Sequence, residues 1–424
     1  MLSPSMKDGP ILVAFSGGLD TSWCVVHLRE QHKRDVVTAV VDTGGFDAAE
    51  LARIAARSKE LGAVRHLTID GTRAVFDRFV VNLVAANCLR GGVYPLCVSA
   101  ERVVQSEETA KAAREIGAAA VAHGSTGAGN DQIRFDVAFS VMLPGVEILA
   151  PVRDLALSRE EEFDFLQRHG FATKLEAKTY SVNAGLWGTT IGGGGLHDPK
   201  KPVPTDCWQM TKDPDAAPAG GETIAVAFER GVPVALENRR LDGVTLVREL
   251  NRRAAAHGVG RGVHTGDTIL GIKGRLAFEA PAAAVLLFAH RELEKLVLSK
   301  HQSTWKDRLG AFYGDLVHEG LYFDAVTKDV EAFLASSQRA VNGIVTVRAV
   351  RGRVEIVSID TDSSLMGRLG AVYGEGSKAW TGEEARAFTK IYGLPQVLVA
   401  RRDLAQTPAA RRDAALDAKK TGAK

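Results

Sequence analysis

The segment Ser16-Gly17-Gly18-Leu19-Asp20-Thr21-Ser22 follows the apolar, β-branched run Ile11–Phe15 and opens an amphipathic stretch. A strand that ends in a glycine turn and feeds a helix gathers backbone N–H groups around one point, and the helix N-terminus adds positive potential there. The chemistry this favours is the holding of phosphate oxygens. Ser16, Thr21 and Ser22 add hydroxyl donors, and Asp20 or Thr21 caps the helix. The string has neither the Gly-Lys-Ser/Thr of a Walker loop nor the three-glycine spacing of a dinucleotide fingerprint. A second dense stretch is Ala122–Phe135, AHGSTGAGNDQIRF. Its glycines keep the backbone open. Asn130 and Thr126 can hold a carboxylate, Asp131 can accept from an ammonium, and Arg134 can clamp an oxyanion through two N–H groups. That set suits a zwitterionic amino acid.

These segments need elements to position them. The first 170 residues alternate strand and helix patterns: apolar runs at Ile11–Phe15, Val36–Val41, Val64–Ile69, Ala118–Ala122 and Ile148–Ala150 are separated by helical stretches such as Ala48–Leu61. The alternation predicts an α/β fold with a doubly wound parallel sheet, whose ligands bind beyond the carboxyl ends of the strands. From about Phe171 to Pro218 the chain is rich in Gly, Thr, Asp and Pro and reads as a domain crossover. Hairpins are predicted over Thr223–Phe228 and Val232–Leu236 and over Ile344–Val350 and Val354–Ile359, each turning on Arg-Gly. Helices are predicted over Val247–His257, Ala282–Ser299 and Ala325–Ser337. Residues 1–170 therefore read as a nucleotide-binding domain, 171–365 as an α+β second domain, and 366–424 as an extension with a helix at Glu383–Ile391. The tail from Arg401 carries seven basic and three acidic residues among many alanines.

Composition sets bounds. Length alone, at 424 residues, exceeds one ordinary core, and 45% apolar with 25% charged residues is the balance of a soluble globular chain. A net charge of +2 does not suit a dedicated nucleic-acid binder. No window approaches the roughly 18 uninterrupted apolar residues of a membrane span. The first residues, MLSPSMKDGP, lack the charged and apolar regions of a secretory signal. The four cysteines show no CxxC or metal-like pairing and fit reduced thiols in the cytoplasm.

The wording SGGLDTS resembles the pyrophosphate loop (PP-loop) of ATP pyrophosphatases, and within that class it is most similar to argininosuccinate synthases. Ala122–Phe135 resembles that family's HGxTGKGNDQxRFE, with Ala128 at the usual lysine. Tyr94–Ser99, YPLCVS, resembles YPLxTS, with Val98 at the threonine. Tyr180–Ile191, YSVNAGLWGTTI, resembles YSxDENLWGxSxE, with Asn183-Ala184-Gly185 in place of Asp-Glu-Asn. Gly258–Pro281 resembles GVGRxDxVENRxxGxKSRGxYExP, with Gly266 at the glutamate and Phe278 at the tyrosine; Gly266-Asp267 by itself reads as an exposed turn.

The resemblance implies a PP-loop domain, a synthetase domain and a helical C-terminal extension, assembled as a cytoplasmic homotetramer. It implies ATP and Mg²⁺, with ATP held by Ala14, Phe15, Ser16, Gly17, Gly18, Leu19, Asp20, Thr21, Ser22, Val41 and Gly124. Asp20 is the metal contact, and Ser16, Asp20 and Asp131 are the candidate catalytic residues. Thr126, Asn130 and Asp131 would hold L-aspartate; Tyr94, Ser99, Asn130, Arg134, Ser181 and Thr190 would hold L-citrulline. Glu279 or Asp267 is a candidate to replace the missing glutamate. The implied reaction joins citrulline and aspartate at the expense of ATP, giving argininosuccinate, AMP and pyrophosphate, with no nucleic-acid or membrane partner. Three alternatives stay open: a related ligase with another ureido donor or amine, a thiouridylase using Cys97 and Cys207, and a nucleotide-binding protein without turnover.

Overall fold

Along the first strand Leu12 alternates with Ile11 and Val13, and the two sets face opposite layers of helices. The computed structural model describes residues 8–171, 180–370, 373–376 and 378–407. In it β1 (Ile11–Ala14), β2 (Val36–Asp42), β3 (Arg65–Asp70), β4 (Ala120–His123) and β5 (Glu147–Leu149) form one parallel sheet in the order β3-β2-β1-β4-β5. Ile11 and Val13 pack with Trp23, Val26 and Ile54. Leu12 packs with Ala110, Ala113 and Phe139 on the other face. Burial on both faces is why these strands read as unbroken apolar runs. The strand order reverses between β1 and β4, so a crevice opens there beyond their carboxyl ends. The loops after β1 and β4 are the two chemistry-bearing segments of the sequence.

The chain then forms β6 (Ser181–Ala184), β7 (Thr189–Gly192), β8 (Glu222–Glu229), β9 (Val232–Leu236), β10 (Arg239–Arg240), β11 (Arg261–Asp267), β12 (Lys273–Glu279), β13 (Gly343–Val350) and β14 (Arg353–Asp360). They make two antiparallel sheets, ordered β10-β9-β8-β13-β14 and β11-β12-β7-β6. The predicted hairpins are β8–β9 and β13–β14, and both turn on an Arg-Gly pair with positive φ, as a two-residue hairpin of this twist requires. The crossover expected over 171–218 is corrected in part: β6 and β7 lie within it and pair through β12 with β11. Gly266 and Asp267 are likewise strand residues at the end of β11, not a turn; the turn is 268–272. Residues 172–179 of that expectation lie outside the described residues.

The expected helices are found as Gly243–Ala255, Pro281–Val297 and Ala325–Ser337. A further helix, Lys300–His318, begins with a capping box between Ser299 and Gln302. Its pattern was obscured by Gly310 and Gly314. Both are there for close approach: a Cβ at Gly310 would lie 2.3 Å from the Ala86 carbonyl oxygen, and one at Gly314 2.4 Å from Cys88 Sγ. The described residues up to Ser363 form one compact unit and those from Ser364 a second. The second contains helices Gly382–Tyr392 and Leu394–Ala405. The alanine-rich tail beyond residue 407 lies outside the described residues. No helix among the described residues is long and apolar enough to cross a membrane.

Candidate active site

The loop after β1 is built by Gly17, whose φ of +75° is left-handed, and by Gly18, the N-cap of helix Leu19–His32. Gly18 has no side chain to cap the helix, so neither Asp20 nor Thr21 is the cap: both stand in the first turn. The first N–H groups of the helix thus remain for a ligand. Ser16 Oγ lies 3.3 Å from Thr21 Oγ1 and 3.4 Å from the Gly18 N–H, which fixes its hydroxyl at the loop mouth. Asp20 faces Glu162 of helix Arg159–Arg168. Glu162 is buried, with Oε2 lacking any hydrogen-bond partner. Burial and then the Asp20 charge push its carboxyl up to about 8.

The loop after β4 is held from beneath. Buried His123 uses Nε2 to bond Asp136 Oδ1 at 2.8 Å, and Arg153 also donates to Asp136. Asn130 accepts from the Ile269 N–H at 2.9 Å, which ties this loop to the turn after β11. Asp131 starts the next helix between two guanidiniums, Arg102 Nε at 2.9 Å and Arg134 Nη1 at 3.0 Å. Burial opposes its ionisation, but the two positive charges prevail and hold it near 2. Arg134 also donates to the His318 carbonyl at 2.8 Å and to Ser99 Oγ at 3.1 Å. Most of its donors are therefore spent bracing helix Asp131–Met142 against helix Lys300–His318, rather than free to clamp a ligand.

At the far end, Tyr94 is buried between His264, stacked at 5.3 Å, and Phe278. Thr190 and Ser181 come from β7 and β6. The two carboxylates considered as replacements for the missing glutamate are placed differently. Glu279 is fully buried and accepts from the Gln209, Met210 and Thr211 N–H groups and the Thr211 hydroxyl. Asp267 stands at the cavity edge, half-exposed, in a surface ion pair with Lys273 at 2.7 Å.

A cavity of about 1650 Å³ runs from the first loop to this end. Its lining takes in Ala14, Phe15 and Ser16–Ser22; Val41 and Gly124; Tyr94 and Ser99; Thr126, Asn130, Asp131 and Arg134; and Ser181 and Thr190. Residues spread between positions 14 and 190 and predicted from separate motifs thus share one wall. Phe278 does not line it but backs Tyr94.

Comparison with known proteins agrees with that arrangement. Residues 10–172 match the arginosuccinate synthase N-terminal HUP domain, and residues 180–399 match the arginosuccinate synthase C-terminal domain. The chain is 40% identical to argininosuccinate synthase of Xanthomonas campestris pv. campestris over 407 residues, covering 93% of this chain and 99% of that protein. It is 35% identical to the enzyme of that name from Methanocaldococcus jannaschii over 387 residues, 91% of this chain and 97% of that protein. The Oceanobacillus iheyensis argininosuccinate synthase is also 35% identical, over 391 residues. The chain belongs to the argininosuccinate synthase family.

Sequence reading overlooked several residues that shape this family's cavity here. Arg102 is one turn into helix Ser99–Glu115 and also bonds Asn183 Oδ1 at 2.8 Å, joining β6 to Asp131. Only its nearness to the YPLCVS motif signalled it. Glu101 beside it is buried against the Trp187 N–H, and burial pushes its carboxyl up to about 8. His264 and His318 also line the cavity, and Glu162 closes under Asp20. Nothing local in the sequence marks these three. All four cysteines are free and buried, and burial pushes each thiol up, so none is a ready sulfur carrier.

Proposed function

We propose that this chain condenses L-citrulline with L-aspartate, using ATP and releasing AMP, pyrophosphate and argininosuccinate. The observation that carries the reading is the single cavity that joins the Ser16–Ser22 loop at the β1–β4 switch point to the Asp131–Arg102–Arg134 group. The ureido oxygen of citrulline attacks the α-phosphorus of ATP, and the bond to the β-phosphate oxygen breaks. Pyrophosphate leaves onto the open N–H groups of helix Leu19–His32 and the Ser16 and Thr21 hydroxyls, which stabilise its growing charge. The aspartate amine then attacks the activated ureido carbon, AMP departs and one proton is lost. A urea carbonyl resists amines, so activation and alignment do the work and no protein nucleophile is needed.

Thr126 and Asn130 hold the aspartate carboxylates, while Asp131, kept ionised by its two arginines, receives the aspartate ammonium. Among the described residues no group of three or more His, Cys, Asp or Glu side chains is disposed as a metal cage. Mg²⁺ is commonly held by one or two carboxylates together with substrate phosphates and water, and Asp20 fits the first of these. When bound, the ion neutralises charge on the phosphates. The reading extends to a homotetramer in the cytoplasm; the apolar residues Phe388, Ile391, Leu394 and Leu398, exposed on the C-terminal helices, support the first part. The test is isotopic. Citrulline labelled with ¹⁸O in the ureido group should pass its label to AMP, and unlabelled AMP from labelled citrulline would refute the adenylation step.

A further inference from the structure

At the Tyr94 end of the cavity one imidazole is threaded where two glycines leave room. His264 Cε1 and Nδ1 lie 3.3 and 3.5 Å from where a Cβ on Gly91 would stand, and Nε2 lies 2.7 Å from that of Gly266. The ring stacks on Tyr94, with centroids 5.3 Å apart and 23° between the planes, which fixes its orientation. Among the described residues neither ring nitrogen has a hydrogen-bond partner. Neither is sealed off: His264 lines the cavity, and its nitrogens keep accessible surface where His318 Nε2 does not. Nε2 therefore reaches into the open space over Gly266.

Burial, followed by the Arg90 charge, holds this ring below the usual histidine range, so it is neutral and one of its nitrogens carries a lone pair. Arg134 lines the same cavity, and a guanidinium only donates. A substrate carboxylate finds positive charge there, whereas a substrate ammonium needs an acceptor. The cavity's nearest acids stand on other walls. Asp131 lies between Arg102 and Arg134, at 2.9 and 3.0 Å. Along β11 side chains alternate in direction, and the register pairs His264 with Leu276 and Gly266 with Gly274, but Asp267 with Lys273. Asp267 thus belongs to the opposite face of the hairpin from His264.

We propose that His264 is the specificity residue for the α-ammonium of the ureido amino acid, accepting its hydrogen bond at Nε2 over Gly266. The inference rests on the ligase reading above. The probe is 5-ureidopentanoic acid, the citrulline skeleton without its amino group, compared with L-citrulline in pyrophosphate release from ATP·Mg²⁺ and aspartate. A hydrogen bond from a charged donor is worth roughly ten- to hundredfold, and the kcat/KM ratio should favour citrulline by that factor. His264→Leu keeps an apolar side chain over Gly266 and removes the lone pair. It should lower citrulline kcat/KM and leave 5-ureidopentanoate nearly unchanged, bringing the ratio close to one. His264→Gln restores an acceptor oxygen and should recover the preference, and Asp267→Asn should keep it. A parent ratio near one overturns the inference, and so does a ratio unchanged in His264→Leu, the result of a merely structural role. A ratio that collapses in Asp267→Asn instead assigns the ammonium to that carboxylate and overturns it too. The parent and Asp267→Asn comparisons hold even where His264→Leu does not fold. Each of these outcomes leaves the ligase reading standing, whereas turnover with neither donor refutes both.

Discussion

Replacing Asp131 by asparagine keeps the side-chain volume and removes the charge that two guanidiniums share. Neither arginine is orphaned by the change. Arg102 keeps Gln105 and Asn183, each at 2.8 Å, and Arg134 keeps Ser99 and the His318 carbonyl. Breaking a wholly buried pair costs about 3–5 kcal/mol. Here the Asp131 side chain is 33% exposed to the cavity, and solvent screening with the surviving bonds reduces the expected cost to about 1–3 kcal/mol. A charge-assisted hydrogen bond to the aspartate ammonium is worth about 1.5–3 kcal/mol, so the KM for aspartate should rise roughly ten- to hundredfold. The KM for ATP should change far less. Initial-rate pyrophosphate release against aspartate concentration, with thermal unfolding in parallel, reads both effects. An aspartate KM within twofold of the parent, together with an unchanged melting temperature, would show that Asp131 neither receives the amine nor holds the arginines.

Glu162→Gln should flatten the fall in stability as pH rises from 4.5 to about 8. The native carboxyl, held at about 8, binds a proton that the unfolded chain releases near 4.5, so stability declines as pH rises between those values; melting temperature across pH 5–9 compares the two proteins. Lys306→Met strips the partner from buried Glu294, 2.7 Å away, and should cost about 3–5 kcal/mol in denaturant unfolding. Gly17→Ala forces a Cβ into a left-handed residue against Ile54, at 3.1 Å. Its cost of about 1–2 kcal/mol should appear as roughly five- to thirtyfold weaker ATP binding, read by calorimetry.

What the sequence disclosed depended on range. β1 to β5 were legible because each is an apolar run bounded by turn residues, and the β8–β9 and β13–β14 hairpins because their Arg-Gly turns are local. β6 and β7 escaped notice: SVNA and TTIG are short, and their sheet is completed by strands some 80 residues on. The same holds within the site. Ser16–Ser22 and Thr126–Arg134 are contiguous and could be read as phosphate and amino-acid seats. Arg102, His264 and His318 act only because distant elements bring them to Arg134 and Tyr94. Glu279 shows the converse error: a carboxylate at a plausible position in the sequence proved to be consumed by the 209–211 backbone.

Pyrophosphate and AMP release should be measured from ATP·Mg²⁺ with citrulline and aspartate together, and with each omitted in turn. Sustained pyrophosphate release that needs both amino acids, with argininosuccinate among the products, is the expected result. ATP binding without aspartate-dependent release would contradict the ligase reading and leave a nucleotide-binding protein.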